Sequence, residues 1–207
     1  MLRIPLMVLL LISGSTVYAV DPEVSQIAQM VAIAPMSSQS QQITRTSCVG
    51  TLIADAKLVT ASHCLPDSLE FIAVRCLGQA DAPTIVTPVL KQRHHVNQDV
   101  AVVHFEAQQD CHTSLTNRAL THDENQELLI YSQRSLQLHD LTILLDQTST
   151  YVVSDSSCQT QGDSGSPVFT RTQAGKFVLT AMLVSGTSEC PSLQILTKLS
   201  KLQDWLQ

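Results

Sequence analysis

Residues 159–169 read QTQGDSGSPVF, with Ser164 set among Gly162, Asp163 and Gly165 just ahead of an apolar run. Taken alone, such a cluster of turn formers says only that the chain bends. A serine hydroxyl is a weak nucleophile until a base removes its proton. The chain offers a base in LVTASHC, Leu58–Cys64, where an apolar strand leads through Thr60-Ala61-Ser62 into His63. An imidazole titrates at about 6.5 and suits that task near neutral pH. Asp99, in NQDVAVVHF, stands at the edge of another apolar strand. A carboxylate there can bond one ring nitrogen, fix the tautomer and stabilise the imidazolium formed on proton transfer. Gly162 lets the backbone bend so that the N–H groups of Gly162 and Ser164 point to one spot. One such donor to a developing oxyanion contributes about 3–4 kcal/mol. Together these residues describe acyl transfer. Singly, each has a plain structural reading as a turn serine, a turn histidine or a strand-end acid. His94, His95, His104, His112, His122 and His139 are read in that structural way.

Short strands must hold these groups. Runs of β type bounded by turn signals occur at Cys48–Ile53, Lys57–Thr60, Leu69–Val74, Thr84–Leu90, Val100–Phe105, Glu127–Tyr131, Leu141–Leu145, Pro167–Thr170 and Phe177–Val184. Their spacing predicts an all-β sandwich or pair of barrels. Only Lys198–Gln207 has helical spacing, with Leu199, Leu202, Trp205 and Leu206 on one face to pack on the body. The polar, turn-rich stretch 106–126 divides the chain into similar halves and reads as a linker. Internal sequence repeats and low-complexity tracts are not evident.

Residues 1–19 carry Arg3, an apolar stretch Leu6–Ile12 and the small-residue ending Val17-Tyr18-Ala19, the pattern of a secretory signal peptide. Its apolar core is too short for a membrane span. The remaining 188 residues hold eleven Lys and Arg against eighteen Asp and Glu, a net charge of −7. No basic stripe or aromatic-basic interleaving points to nucleic acid. Six cysteines, at 48, 64, 76, 111, 158 and 190, all lie beyond the leader. In an exported chain an even count predicts disulfides, with fifteen pairings open. CxxC pairs are absent, and so is a D-x-D-x-D-G loop, so neither zinc nor calcium has a motif behind it.

LVTASHC, QDVAVVHF and QGDSGSPVF, in the order His, Asp, Ser, resemble the three signature segments of chymotrypsin-like (trypsin-fold) serine proteases. The resemblance runs from about Met30 to the terminal helix. It implies an all-β fold of two antiparallel six-stranded barrels with a C-terminal α-helix, about 20–115 and 116–207, and the site in the cleft between them. It further implies His63 as general base, Asp99 as its orienter, Ser164 as nucleophile, and an oxyanion hole from Gly162 and Ser164. Ser185 matches the residue whose backbone pairs with substrate as an added strand. Disulfides Cys48–Cys64 and Cys158–Cys190 follow from the resemblance, which leaves Cys76 with Cys111, a pairing it does not itself supply. The acid Asp163 is expected to pair with the mature N-terminus. Cleavage after Ala19 would make that terminus Val20, which lies 28 residues before Cys48, close to the family spacing.

The chain departs from the family in the serine loop, where Cys158 lies six residues before Ser164 and the family commonly has four. Thr187 and Gln194 stand where glycines often line the specificity pocket, and are expected to narrow it. Asp155, Ser156 and Glu189 are all candidates for the pocket base or rim. An acid at the base favours Arg or Lys before the scissile bond; narrowed walls favour small residues. GDSGSP and the small size resemble bacterial exported members, secreted or periplasmic. The implied activity is a secreted endopeptidase acting on peptides or proteins without a cofactor or metal, open to a protein inhibitor, with no nucleic-acid or membrane partner. The competing class is a non-catalytic binding member of the same fold. Such members typically lose the histidine or the serine, and this chain keeps both.

Overall fold

The computed structural model describes residues 30–36, 48–76, 84–106, 127–131, 138–156, 162–171, 177–187 and 189–207. Among these residues twelve strands form two closed antiparallel barrels. The first contains β1 (Met30–Met36), β2 (Cys48–Ala54), β3 (Lys57–Thr60), β4 (Phe71–Cys76), β5 (Ile85–His94) and β6 (Ala101–Phe105). Around the barrel they run β1-β2-β3-β6-β5-β4. The second contains β7 (Leu128–Tyr131), β8 (Leu138–Asp146), β9 (Thr150–Asp155), β10 (Pro167–Arg171), β11 (Phe177–Gly186) and β12 (Ser192–Lys198). Its order, β7-β8-β9-β12-β11-β10, repeats that of the first. Closure removes the exposed edges that short strands would otherwise present.

The expected fold is the one observed. Three strands went unanticipated, β1, β9 and β12. The expected terminal helix begins later than its apolar spacing suggested, because Lys198 still belongs to β12. A 3-10 turn, Leu199–Leu202, then leads into the short helix α1, Gln203–Leu206.

Phe177–Val184 of β11 is buried at every position rather than alternating. The reason is that both faces are covered. Ala181 and Leu183 face the core of the second barrel with Leu128, Tyr151 and Val168. Leu179, Met182 and Val184 join a larger cluster that takes in the first barrel and the terminal Leu199, Leu202 and Leu206. The last turns are also held by polar contacts across to the first barrel. Arg93 Nη2 donates to the Trp205 carbonyl at 2.8 Å, and Lys57 Nζ to that of Gln207 at 2.9 Å. The barrels are therefore fixed to one another, which a site divided between them requires.

Cys48 and Cys64 form a disulfide across a sequence separation of 16 residues. Cys76 and Cys190 are each disulfide-bonded; Cys111 and Cys158 lie outside the described residues. A closed loop of that length removes about 3 kcal/mol of unfolded-state entropy. The Cys48→Ala/Cys64→Ala protein is expected to be less stable by about that amount, measured by urea unfolding as a lower midpoint with a steeper slope, because the uncrosslinked unfolded chain exposes more surface.

Candidate active site

Strands β3 and β6 pair antiparallel, with Thr60 opposite Ala101. The residues just after β3 and those just before β6 must therefore meet. After β3 the 3-10 turn Ser62–Cys64 sends Cys64 inward and leaves His63 at the surface. Ahead of β6, Val100 is fully buried and Asp99 stands just outside it. His63 Nδ1 donates to Asp99 Oδ2 at 2.6 Å, and the His63 main-chain N–H donates to Oδ1 at 2.9 Å. The Ser62 main-chain N–H adds a further bond to the carboxylate.

These bonds set the electrostatics. The Asp99 hydrogen bond raises His63 above the ordinary imidazole value; burial opposes it and the Asp99 charge adds to it. Burial pushes the Asp99 carboxyl up, but the bonds from the His63 ring and from two main-chain N–H groups outweigh it, and the carboxyl lies below its ordinary value. With Nδ1 committed to Asp99, Nε2 is left as the ring's proton acceptor.

Ser164 comes from the second barrel, on the loop ahead of β10. Gly162 and Gly165 have φ of 101° and 91°, a region open chiefly to glycine. The loop is wedged between the barrels. Val49 N–H donates to the Ser164 carbonyl at 2.9 Å, and Gly165 N–H to that of Leu183 at 2.8 Å. Cys64 Sγ lies 4.0 Å from the Ser164 carbonyl oxygen, so the turn bearing His63 and the loop bearing Ser164 share one wall. Among the described residues the imidazole's one hydrogen bond is that to Asp99 Oδ2, and one to Ser164 Oγ is not formed. Catalytic bonds of this kind are often long until substrate is in place.

Gly165 is a position that the sequence reading passed over. A Cβ there would fall 1.8 Å from the Val49 carbonyl oxygen and 2.8 Å from Thr60 Oγ1. The backbone oxygen cannot swing aside as a side chain can. Gly165→Ala is therefore expected to displace the serine loop, cutting kcat/KM by about a hundredfold or more while the barrels remain folded. Steady-state kinetics alongside far-UV circular dichroism would check it. The signal available in sequence was the run of small residues after the serine, which reads equally as turn formers.

Asp163 is buried, with 4% exposed, and its carbonyl accepts from Ser166 N–H at 3.0 Å. Val20, its expected partner, lies outside the described residues. Ser185 and Thr187 are exposed at and just beyond the end of β11. Thr187 Oγ1 accepts from the Leu193 N–H at 3.0 Å, so its hydroxyl is tied to the main chain leading into β12. Gln194 is fully buried, and so is Asp155; Ser156 and Glu189 are exposed.

Cys48, His63 and Cys64 place ligand-type atoms within 4.8 Å of one another, but the two sulfurs are bonded to each other and are not thiolates free to hold a metal. A groove of ≈520 Å³ beside His63 is lined by Ser62, His63, Leu65, Asp67, His94 and Asp99 among others. His94 bonds Ser62 Oγ and the Gln92 amide. His95 packs edge-on to Trp205 at 5.1 Å. His104 is lowered by burial and by the charges of Lys57, Arg93 and Lys91. His139 lies in β8, while His112 and His122 fall outside the described residues.

Two barrels of the same strand order, a carboxylate-held imidazole and a serine on a glycine-flanked loop between them define a class. The trypsin family model matches residues 24–206, and the chain belongs to that family, whose members are serine-type peptidases acting on peptides or proteins. No curated protein matches the chain.

Proposed function

We propose that the protein is an exported serine endopeptidase working through an acyl-enzyme. The observation that carries this reading is the 2.6 Å bond from His63 Nδ1 to Asp99 Oδ2, made by a half-exposed ring next in the chain to Cys64, whose Sγ lies 4.0 Å from the Ser164 carbonyl oxygen. Ser164 Oγ attacks the scissile carbonyl carbon as its proton passes to His63 Nε2. The N–H groups of Gly162 and Ser164 hold the resulting oxyanion. Collapse breaks the C–N bond, and His63 gives its proton to the departing amine. Water then adds to the ester with His63 again as base, releasing the acid and restoring the Ser164 hydroxyl.

Substrate lies beside Ser185 as an extra strand. The leader 1–19 directs export, and its removal frees the Val20 amine to pair with Asp163. Neither a metal nor a cofactor takes part in these steps. The test is hydrolysis of a quenched fluorescent peptide library by the purified mature protein. Turnover that disappears in Ser164→Ala is expected. A folded, correctly processed protein that turns over no peptide would favour the non-catalytic binding class.

A further inference from the structure

Asp155 ends β9 facing the interior, and none of it is exposed. Across the β9–β12 pairing it stands opposite Ser192, with Gln194 two residues further on. Gln194 is also fully buried. Its Nε2 donates to Asp155 Oδ2 at 2.8 Å and to Ser192 Oγ at 3.1 Å. Its Oε1 is buried with no hydrogen-bond partner. On the neighbouring strand Gly186 faces Gln194, and a Cβ on Gly186 would come within 3.4 Å of Gln194 Cγ. The Gln194 side chain thus lies against the face of the bare glycine.

This buried polar group is connected to the serine loop through β11. Gly165 N–H donates to the Leu183 carbonyl and Leu183 N–H to that of Ser166. Three residues along β11 from Leu183 is Gly186, about 10 Å of extended strand. A residue seated beside Ser185 with its carbonyl at Ser164 would send its side chain down this stretch toward Gln194 and Asp155.

We propose that Gln194 sets the residue accepted before the scissile bond, covering Asp155 so that the site takes a small uncharged side chain and refuses Arg or Lys. This rests on reading the protein as a peptidase. A buried carboxylate needs partners, and the Gln194 amide already supplies one. A guanidinium or ammonium arriving from substrate must displace that amide from space it occupies. It meets the neutral acceptor Oε1 in place of the anion. Asp155 therefore serves to hold Gln194 instead of reading a cation.

The experiment profiles the position before the scissile bond with a peptide library for the native protein, Gln194→Gly and Gln194→Gly/Asp155→Asn. Ser164 labelling by a fluorophosphonate is run on each. The native protein should cleave after small uncharged residues. Gln194→Gly should gain about a hundredfold in kcat/KM on Arg and Lys peptides, and the double variant should lose that gain. Benzamidine, an aryl amidinium, gives a readout that needs no variant to fold: it should leave native labelling unslowed. Native cleavage after Arg or Lys, protection by benzamidine, or an unchanged preference in a Gln194→Gly protein that still labels would each overturn the role of Gln194. A native protein that neither labels nor cleaves would instead remove the peptidase reading, and this proposal with it.

Discussion

Replacing His63 with alanine is expected to lower kcat by about a millionfold, with KM little changed. In the proposed mechanism His63 touches substrate only through protons, so its loss would remove an interaction made in the transition state and leave ground-state binding intact. The fold should tolerate the change, since the ring is half exposed, its one hydrogen bond among the described residues runs to Asp99, and the main-chain bond to Asp99 survives in alanine. Because base and nucleophile act as one unit, His63→Ala/Ser164→Ala should be scarcely worse than either single variant. A decrease of tenfold or less in His63→Ala would show that some other group takes the serine's proton.

Asp99→Asn should act through the tautomer and through pH together. An amide that presents its oxygen to Nδ1 keeps the geometry; one that presents its nitrogen forces the proton to Nε2, where it blocks the base. The expected loss in kcat is about 10⁴-fold. The pH shift follows from the raised His63 value and its first cause, the Asp99 hydrogen bond. The base works unprotonated, so activity rises as pH climbs through the folded-state value. In the native protein that rise is centred above 6.5, the ordinary imidazole value. Removing the carboxylate takes away its hydrogen bond and its charge, and the rise moves to lower pH. A pH profile of kcat/KM for both proteins would check direction and size together. A variant whose acid limb stays in place or moves upward would mean that Asp99 does not set the base.

The residues of the candidate site were legible because their chemistry leaves short, ordered strings. The strands flanking them were legible too, since LVT, VAVVHF and PVF are apolar runs between turn formers. Strands β9 and β12 were hidden for a physical reason. In β12 the inward positions are Ser192, Gln194 and Leu196, while Leu193 and Ile195 point outward. Alternation there runs against the usual rule, with polar groups inside and apolar groups out. It is stable because the Gln194 amide donates to the equally inward Asp155 carboxylate of β9 and to Ser192 Oγ, which in turn donates to the Asp155 main-chain carbonyl. A period-2 reading has no way to know that one buried polar group answers another across a sheet. The same limit left Asp155, Ser156 and Glu189 undivided in the sequence. The repeated strand order of the two barrels was likewise invisible. Closure depends on which strands pair, and very different side chains fill the two interiors. Gly165 was missed because its close contact is with Val49, 116 residues away in the chain.

The pairing of a base from one barrel with a hydroxyl from the other is tested most directly by fluorophosphonate labelling followed by peptide mass spectrometry. Folded, mature protein should carry a single adduct, on Ser164, forming faster as pH rises through the His63 value and only very slowly in His63→Ala. An adduct on a different serine, equal labelling of heat-unfolded protein, or a rate indifferent to His63 would contradict it.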